Sequence, residues 1–283
     1  MRRKYLHIGA LIAILFFFSI DASAKAVLVQ IAPKKIRQGD VFLIKVRNVE
    51  TSQVPSALLS DDELSFSSCG EGCYVAIGAV EITSKPGPRL LKLKVGKRKK
   101  NLWLYVKKVK FPVLKLTLPE DRVILSPEDL ERTKSEDKRL AELFHTASDR
   151  LWDGGFVEPL NNEISTAFGT RRIMNGKWVS IHKGVDIKGK EGQEIKASNN
   201  GKVLLAVGLF FGGNTVILDH GQGIFTIYMH LAEIKVNPGD LISKGEVIGL
   251  VGSSGRSTGP HLHFGARVMN APVNPVSLTE LKL

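Results

Sequence analysis

The chain has 283 residues, of which 43% are hydrophobic and 24% are charged, and its formal net charge is +12 at pH 7. This composition is that of a folded globular protein, and it excludes a chain that is disordered over most of its length. The length allows one large domain or two ordinary domains, each with its own core.

Residues 1–24 have the pattern of a secretory signal peptide. The basic start MRRK is followed by the apolar run HIGALIAILFFFSI and by ASA, whose small-x-small spacing is typical of a signal-peptidase site. The run is shorter than the roughly 20 residues that span a bilayer comfortably. We therefore expect cleavage before Lys25, no stable membrane insertion afterwards, and a periplasmic or secreted protein. An uncleaved anchor is the alternative.

The expected mature chain is strongly basic. Loss of the signal removes three of the 40 basic residues and one of the 28 acidic residues, which leaves a net charge of about +10. Such a charge suits an anionic surface or polymer, and export argues against nucleic acid. Bacterial cell wall and anionic lipid headgroups are the better candidates. The basic run GKRKKN, around Lys97–Lys100, is interpreted as a solvated hairpin tip.

Short β-strands are predicted from Ala26 to about Lys110. Segments such as VFLIKVRN, LLKLKV and LWLYVKKV have strand composition, and RQGD and KPGP are turn signals between strands. This spacing predicts a β-sandwich module over residues 25–118. Cys69 and Cys73 are predicted to form a local disulfide in an oxidising compartment. The module shows no catalytic constellation, so it is interpreted as a binding or spacer module.

A helix is predicted within a linker of residues 119–153. Ser126 can cap its N-terminus, Pro127 suits its first position, and apolar residues recur at mostly helical spacing. We expect this helix to continue through Trp152 and to end at DGG, Asp153–Gly155. His145 on the helix is interpreted as a surface or packing residue.

Residues 154–283 are Gly-rich and predict a compact antiparallel β domain, so the fold class is mainly β. GQEIKASNNGKV and GDLISKGEVIG are weakly similar, which indicates a lipoyl-like sheet folded back on itself. Five of the seven histidines lie in this domain. Since histidine is the commonest metal ligand, their clustering makes zinc chemistry a hypothesis to test.

Two motifs could supply ligands to one metal ion. In HLH, His261 and His263 would point to the same face of a strand. In HKGVD, a turn leading into a strand could bring His182 and Asp186 together. Each motif is weak alone. Together they offer one carboxylate and two imidazoles and leave a fourth position for water, which is the stoichiometry of a catalytic zinc site.

The motifs HKGVD, TIYMHL and GRSTGPHLHF, in this order, resemble the lysostaphin and LytM type of zinc endopeptidase over about Leu160–Pro275. The resemblance implies a zinc metallopeptidase domain that hydrolyses peptide bonds in bacterial peptidoglycan, with stem-peptide cross-links as the expected target. We expect a monomer, and any regulatory partner is unknown. The alternative is a non-catalytic wall-binding or amidase-regulating protein on the same fold, although such proteins lack one or more of the metal ligands.

The resemblance also implies a role for each histidine of the domain. His182, Asp186 and His263 match the ligands of the zinc ion, Zn²⁺. His230 and His261 match the two catalytic histidines, which handle the water proton and the oxyanion. His220 matches a histidine that is not a ligand and is interpreted as structural. Gly265 stands where the family often has an acidic residue, which lies outside the metal set.

Overall fold

The computed structural model describes residues 13–16, 26–50, 52–60, 62–117, 119–120, 123–145 and 148–283. Strands dominate the described residues, which confirms the predicted mainly β fold class. Most of the predicted signal peptide lies outside the described residues, although a short strand, β1 (Ala13–Phe16), falls within it. Neither of the described helices is both long enough and apolar enough to cross a membrane.

Two five-stranded sheets form a β-sandwich in the N-terminal part. Their further strands are β2 (Leu28–Ala32), β3 (Lys35–Arg37), β4 (Val41–Arg47), β5 (Ser56–Leu59), β6 (Asp62–Leu64), β7 (Ser67–Gly70), β8 (Cys73–Ala79), β9 (Gly87–Val95) and β10 (Arg98–Lys107). The first sheet has the order β1–β2–β4–β8–β7 and the second has the order β3–β10–β9–β5–β6. Cys69 and Cys73 are joined by the predicted disulfide.

Two strands of the first sheet, β4 and β8, are buried on both faces. Phe42 and Ile44 of β4 point into the sandwich core, while Val41 and Leu43 point the other way. That second face shares a buried cluster with residues of the C-terminal part, namely Trp152, Phe156, Ile224, Ala266, Val268, Val273, Leu278 and Leu281. Burial on both faces explains why β4 begins with the unbroken apolar run VFLI.

The segment between the two parts adds a strand to the C-terminal part. This strand, β11 (Val113–Leu116), pairs in parallel with β13 (Arg171–Met174), which pairs with β14 (Trp178–Ile181). The last strand before the helix therefore lies outside both sandwich sheets. Domain boundaries at residues 118 and 153 stay predictions.

The helix α1 (Pro127–Phe144) is shorter than expected. It begins as predicted, with the Ser126 side chain accepting a hydrogen bond from the backbone N–H of Asp129. The prediction that it continues through Trp152 is wrong, because tertiary contacts hold that segment instead. The backbone N–H of Trp152 donates to the carbonyl of His220, and the indole is 2% exposed in the cluster shared by the two parts.

One ten-stranded sheet, folded on itself, forms the C-terminal part. Its elements are β12 (Ile164–Thr166), β15 (Gly184–Lys188), β16 (Glu194–Lys196), β17 (Gly201–Leu209), β18 (Gly213–Asp219), β19 (Ile224–Ile234), β20 (Leu241–Ile242), β21 (Val247–Val251), β22 (His261–Val268) and β23 (Ala271–Val273), followed by α2 (Pro275–Thr279). The main path is β12–β15–β22–β19–β18–β17–β20, and β21 pairs with both β16 and β19. The two similar sequence segments thus pair with each other, β16 with β21 and β17 with β20.

Candidate active site

The three predicted ligand side chains converge on one point. Nε2 of His182 and Nδ1 of His263 each lie 2.9 Å from Oδ1 of Asp186, and the two nitrogens are 3.0 Å apart. Antiparallel pairing of β15 with β22 places Asp186 directly opposite His263. One residue, Lys183, separates His182 from β15, so the short connection after β14 places its ring at the same point. These three residues form a group that could hold a metal ion.

The hydrogen bonding of His182 fits a cation at this point. Its Nδ1 lies 3.1 Å from the carbonyl of Ala167, which can only accept, so Nδ1 carries the proton of the neutral ring. In that neutral form its Nε2 carries a lone pair that a cation beside Oδ1 of Asp186 could accept. A zinc ion, which takes imidazole nitrogen and carboxylate oxygen as ligands, would satisfy all three side chains.

Close packing of the backbone against His263 depends on glycine. A Cβ added at Gly184 would lie 2.7 Å from Nε2 of His263 and 2.6 Å from the carbonyl of Phe264. Such contacts are far inside van der Waals distance, and the carbonyl is backbone that cannot move aside. The glycine of HKGVD therefore leaves room for the third ligand.

The charge of the site is set by burial and by mutual contact. Burial alone would raise the pKa of Asp186, but hydrogen bonds and charges from His182 and His263 lower it far below its usual range. Burial lowers the pKa of His263, against the opposing hydrogen bond to Asp186. The group therefore offers an ionised carboxylate next to a neutral imidazole, which are the protonation states that metal ligands need.

The two further predicted histidines lie beside the ligand group. The ring centroids of His230 and His261 are 4.8 Å apart, and those of His230 and His263 are 6.2 Å apart. Nδ1 of His230 donates to the carbonyl of Ser254 at 2.9 Å, and Nδ1 of His261 donates to the carbonyl of Gly259 at 2.8 Å. With Nδ1 used in this way, Nε2 of each neutral ring can accept a proton. Burial lowers the pKa of His230 to about 4, so this ring is neutral near pH 7.

His230 has an unusual backbone conformation where the pairing of β19 with β18 shifts register. Its φ is +67°, a region that residues other than glycine rarely adopt. The backbone N–H of His230 donates to the carbonyl of Gly212 at 2.7 Å. The Ser254 hydroxyl and the Asn214 amide both donate to the carbonyl of Leu231, the next residue. The surrounding loops thus fix the direction of this imidazole.

Arg172 and Ser254 contribute to the site and were not predicted from the sequence. The guanidinium of Arg172 donates to Oδ2 of Asp186 at 2.9 Å, so the two carboxylate oxygens face different partners. Arg172 lies in β13, and nothing in the local sequence pattern assigns it a contact. Ser254 lies in the turn before HLH and binds His230 through its backbone, which no side-chain motif reveals.

His220 lies in a different environment. Its Nδ1 donates to the carbonyl of Asn200 at 2.7 Å, and its Nε2 lies 2.7 Å from the hydroxyl of Thr226. That hydroxyl in turn contacts the hydroxyl of Tyr228 at 2.9 Å. Both ring nitrogens are occupied by this buried network, which fits the structural role expected for His220.

Comparisons with known proteins match the part of the chain that holds the site. The model of peptidase family M23 matches residues 180–275. A Neisseria meningitidis protein named DD-carboxypeptidase/endopeptidase Mpg is 42% identical over 127 residues, which are 44% of this chain and 29% of that protein. The Vibrio cholerae peptidoglycan DD-endopeptidase ShyA is 39% identical over 112 residues, which are 39% of this chain and 26% of that protein. The chain thus spans less than a third of the length of these relatives.

One solved structure resembles nearly the whole chain. A crystal structure from Pseudomonas aeruginosa, described as a candidate M23 peptidase, covers 86% of this chain and 94% of its own, with a TM-score of 0.65 and 26% identity. The similarity therefore extends over the β-sandwich as well as the domain that carries the histidines. The resemblance expected from the ordered motifs is confirmed, since residues 180–275 of this chain match the model of peptidase family M23.

Proposed function

We propose that the protein is an exported zinc metalloendopeptidase that hydrolyses peptide bonds in bacterial peptidoglycan. The observation that carries the proposal is the convergence of His182, Asp186 and His263 beside two further histidines with accepting nitrogens. A ligand group alone would suit a structural metal. The adjacent, neutral His230 gives the site a proton acceptor as well, which hydrolysis requires.

Each side chain has a defined task in this proposal. When bound by the three ligands, a zinc ion would activate a water molecule and polarise the scissile carbonyl. Nε2 of His230 or His261 accepts the water proton, and the other imidazole stabilises the charge that develops on the carbonyl oxygen. Arg172 holds the second oxygen of Asp186, so that the first oxygen stays directed at the ligand nitrogens.

Two independent observations support peptidoglycan as the substrate. The relatives from Neisseria and Vibrio are named for endopeptidase activity, the second explicitly on peptidoglycan. The chain carries 40 basic and 28 acidic residues, which favours an anionic polymer. Stem-peptide cross-links are the proposed target. Export through the predicted signal peptide, action as a monomer, and the domain limits at residues 24, 118 and 153 belong to the same proposal.

The test combines metal content with digestion of purified peptidoglycan. We expect about one zinc per chain, as in other three-ligand catalytic sites, and release of new free amines from the wall. His263→Ala should lose both zinc and activity, whereas His230→Ala should keep zinc and lose activity by roughly 10²-fold or more. A wild-type protein that neither binds zinc nor cleaves would instead favour the non-catalytic regulator.

A further inference from the structure

The outer face of the second N-terminal sheet is both aromatic and basic. On β10, Trp103 and Tyr105 are 66% and 52% exposed, while Leu102 and Leu104 between them are buried in the sandwich. Strand pairing places other exposed side chains beside these rings. We call this surface the basic–aromatic face, and its residues are Lys35, Leu58, Pro88, Leu90, Lys92, Lys94, Lys99, Asn101, Trp103 and Tyr105.

Positive charge is concentrated on this face rather than balanced. Lys94 of β9 lies directly opposite Lys99 of β10, and Lys35 of β3 lies directly opposite Tyr105. Like charges directly opposite each other destabilise a sheet. The Lys94–Lys99 pair therefore lowers the stability of the fold, and packing does not explain its presence. Among the described outward strand positions of this sheet, Glu63 is the one acidic residue. The face is therefore predominantly basic.

Protection of a sheet edge does not account for the lysines. Lysine on an edge strand prevents unwanted pairing with other chains. Lys92 and Lys94, however, lie on β9, which is the central strand of the order β3–β10–β9–β5–β6. The contact with the C-terminal part does not account for them either, since that contact uses the other sheet through residues such as Leu43 and Val75. The basic–aromatic face points away from this contact and is accessible.

We propose that the basic–aromatic face is a second binding surface for the glycan–peptide polymer of the bacterial wall, separate from the catalytic cleft. The identity of the polymer rests on the proposed function. Flat aromatic rings pack against the apolar faces of sugar rings, and lysines attract the carboxylates of stem peptides without demanding a fixed geometry. A surface that holds the polymer would raise the local concentration of cross-links at the active site.

An anionic membrane fits this face less well. Surface helices that bind membranes separate an apolar side, which enters the acyl region, from a basic side that stays at the headgroups. Here Tyr105 lies between Lys35 and Pro88, and Lys92 and Lys94 project from the next strand on the same face, so apolar and basic side chains are mixed and do not lie on separate sides. A polymer that carries both sugar rings and carboxylates matches this mixture of aromatic and basic side chains.

The proposal is tested by binding of the full-length protein to purified peptidoglycan sacculi in the presence of EDTA, which suppresses metal-dependent cleavage. The variants are Trp103→Ala with Tyr105→Ala, and separately Lys92→Glu with Lys94→Glu. Lys138→Glu with Arg139→Glu, at exposed positions of α1, makes the same change of charge elsewhere. We expect about tenfold weaker binding for each face variant, as for loss of an interface anchor, and less than about twofold for the control.

The same variants should cleave a soluble cross-linked peptide dimer at the wild-type rate, because the C-terminal part is unchanged. Binding equal to that of the control variant would overturn the proposal. Loss of binding to phosphatidylglycerol vesicles with unchanged binding to sacculi would overturn it in favour of a membrane. A wild-type protein that binds sacculi through this face but cleaves nothing would refute the proposed function alone. Melting temperatures identify a face variant that fails to fold. The binding result of the other face variant then tests the proposal.

Discussion

At the scale of single residues, the geometry of the site depends on the orientation of the Asp186 carboxylate. Its Oδ1 faces two imidazole nitrogens, while its Oδ2 accepts from Arg172. Without the guanidinium, the carboxylate could rotate and present its oxygens differently to a metal ion. Arg172 therefore acts as a positioning residue, which would influence a bound metal ion only through Asp186.

Arg172→Met should weaken zinc binding about tenfold, which is the lower end of the effect of removing a partner of a metal ligand. Competition with a chromophoric chelator measures this directly. Lys183→Met, at an exposed position between His182 and Gly184, removes a charge from the same loop and is the control. Equal zinc affinity in Arg172→Met and wild type would show that the Asp186 carboxylate keeps its orientation without the guanidinium of Arg172.

His220 should make the stability of the protein sensitive to acid. Burial lowers its pKa in the folded chain from 6.5 to about 4. Between these values the unfolded chain binds a proton that the folded chain does not, so stability falls as the pH falls through this window. The loss from this residue amounts to at most about 3 kcal/mol.

Urea unfolding of metal-free protein from pH 7 to pH 4 checks this expectation, and His220→Gln is the matched variant. The variant should be less stable at pH 7, because it disturbs the bond to Asn200, but its stability should depend less on pH. Parallel curves for both proteins would assign the acid sensitivity to other groups.

At the scale of elements, β11 connects the site to the preceding module. It pairs with β13, which carries Arg172, and the nearby Phe111 packs against Gly169 just before that strand. Phe111→Ala should loosen this pairing, so that the amides of residues 171–174 exchange with deuterium faster, while those of β19 and β22 are unaffected. Hydrogen exchange with mass spectrometry resolves these segments. Unchanged exchange in β13 would mean that backbone pairing alone holds β11.

The elements also show how far the sequence predicts the structure. The strands and the Ser126 cap are local patterns, and each was predictable, whereas the metal-binding role of His182, Asp186 and His263 stays a prediction. The end of α1 was not predictable, because Trp152 leaves the helical pattern to fill a cluster formed with distant strands. The same holds for Arg172, whose partner is 14 residues away in another strand, and for the positive φ of His230, which only its neighbouring loops impose.

At the scale of the whole molecule, the two parts share one apolar interface. Leu43 and Val75 of the sandwich pack with Trp152 and Val268 of the C-terminal part. Parts joined by such a buried cluster unfold together, since exposing it costs free energy in either part. We expect a single transition for the wild-type protein in differential scanning calorimetry.

Leu43→Asp should split that transition into two. The substitution places a charge in the interface but leaves Phe42 and Ile44 in the sandwich core, so each part keeps its own packing. Leu58→Asp, on the exposed face of the other sheet, introduces the same group without touching the interface and should leave one transition. Two transitions in the wild type would show that the parts unfold independently.

The pairing of β11 with β13 has a consequence for attempts to isolate the catalytic half. A shortened chain that starts near Asp153 lacks β11, and it leaves the backbone N–H and C=O groups along one side of β13 without their strand partners. Bare strand edges of this kind recruit other chains, so such a fragment is prone to self-association. Inactivity of such a fragment would then reflect the damaged sheet. Only a fragment more active than the intact protein would indicate that the removed N-terminal part inhibits the site.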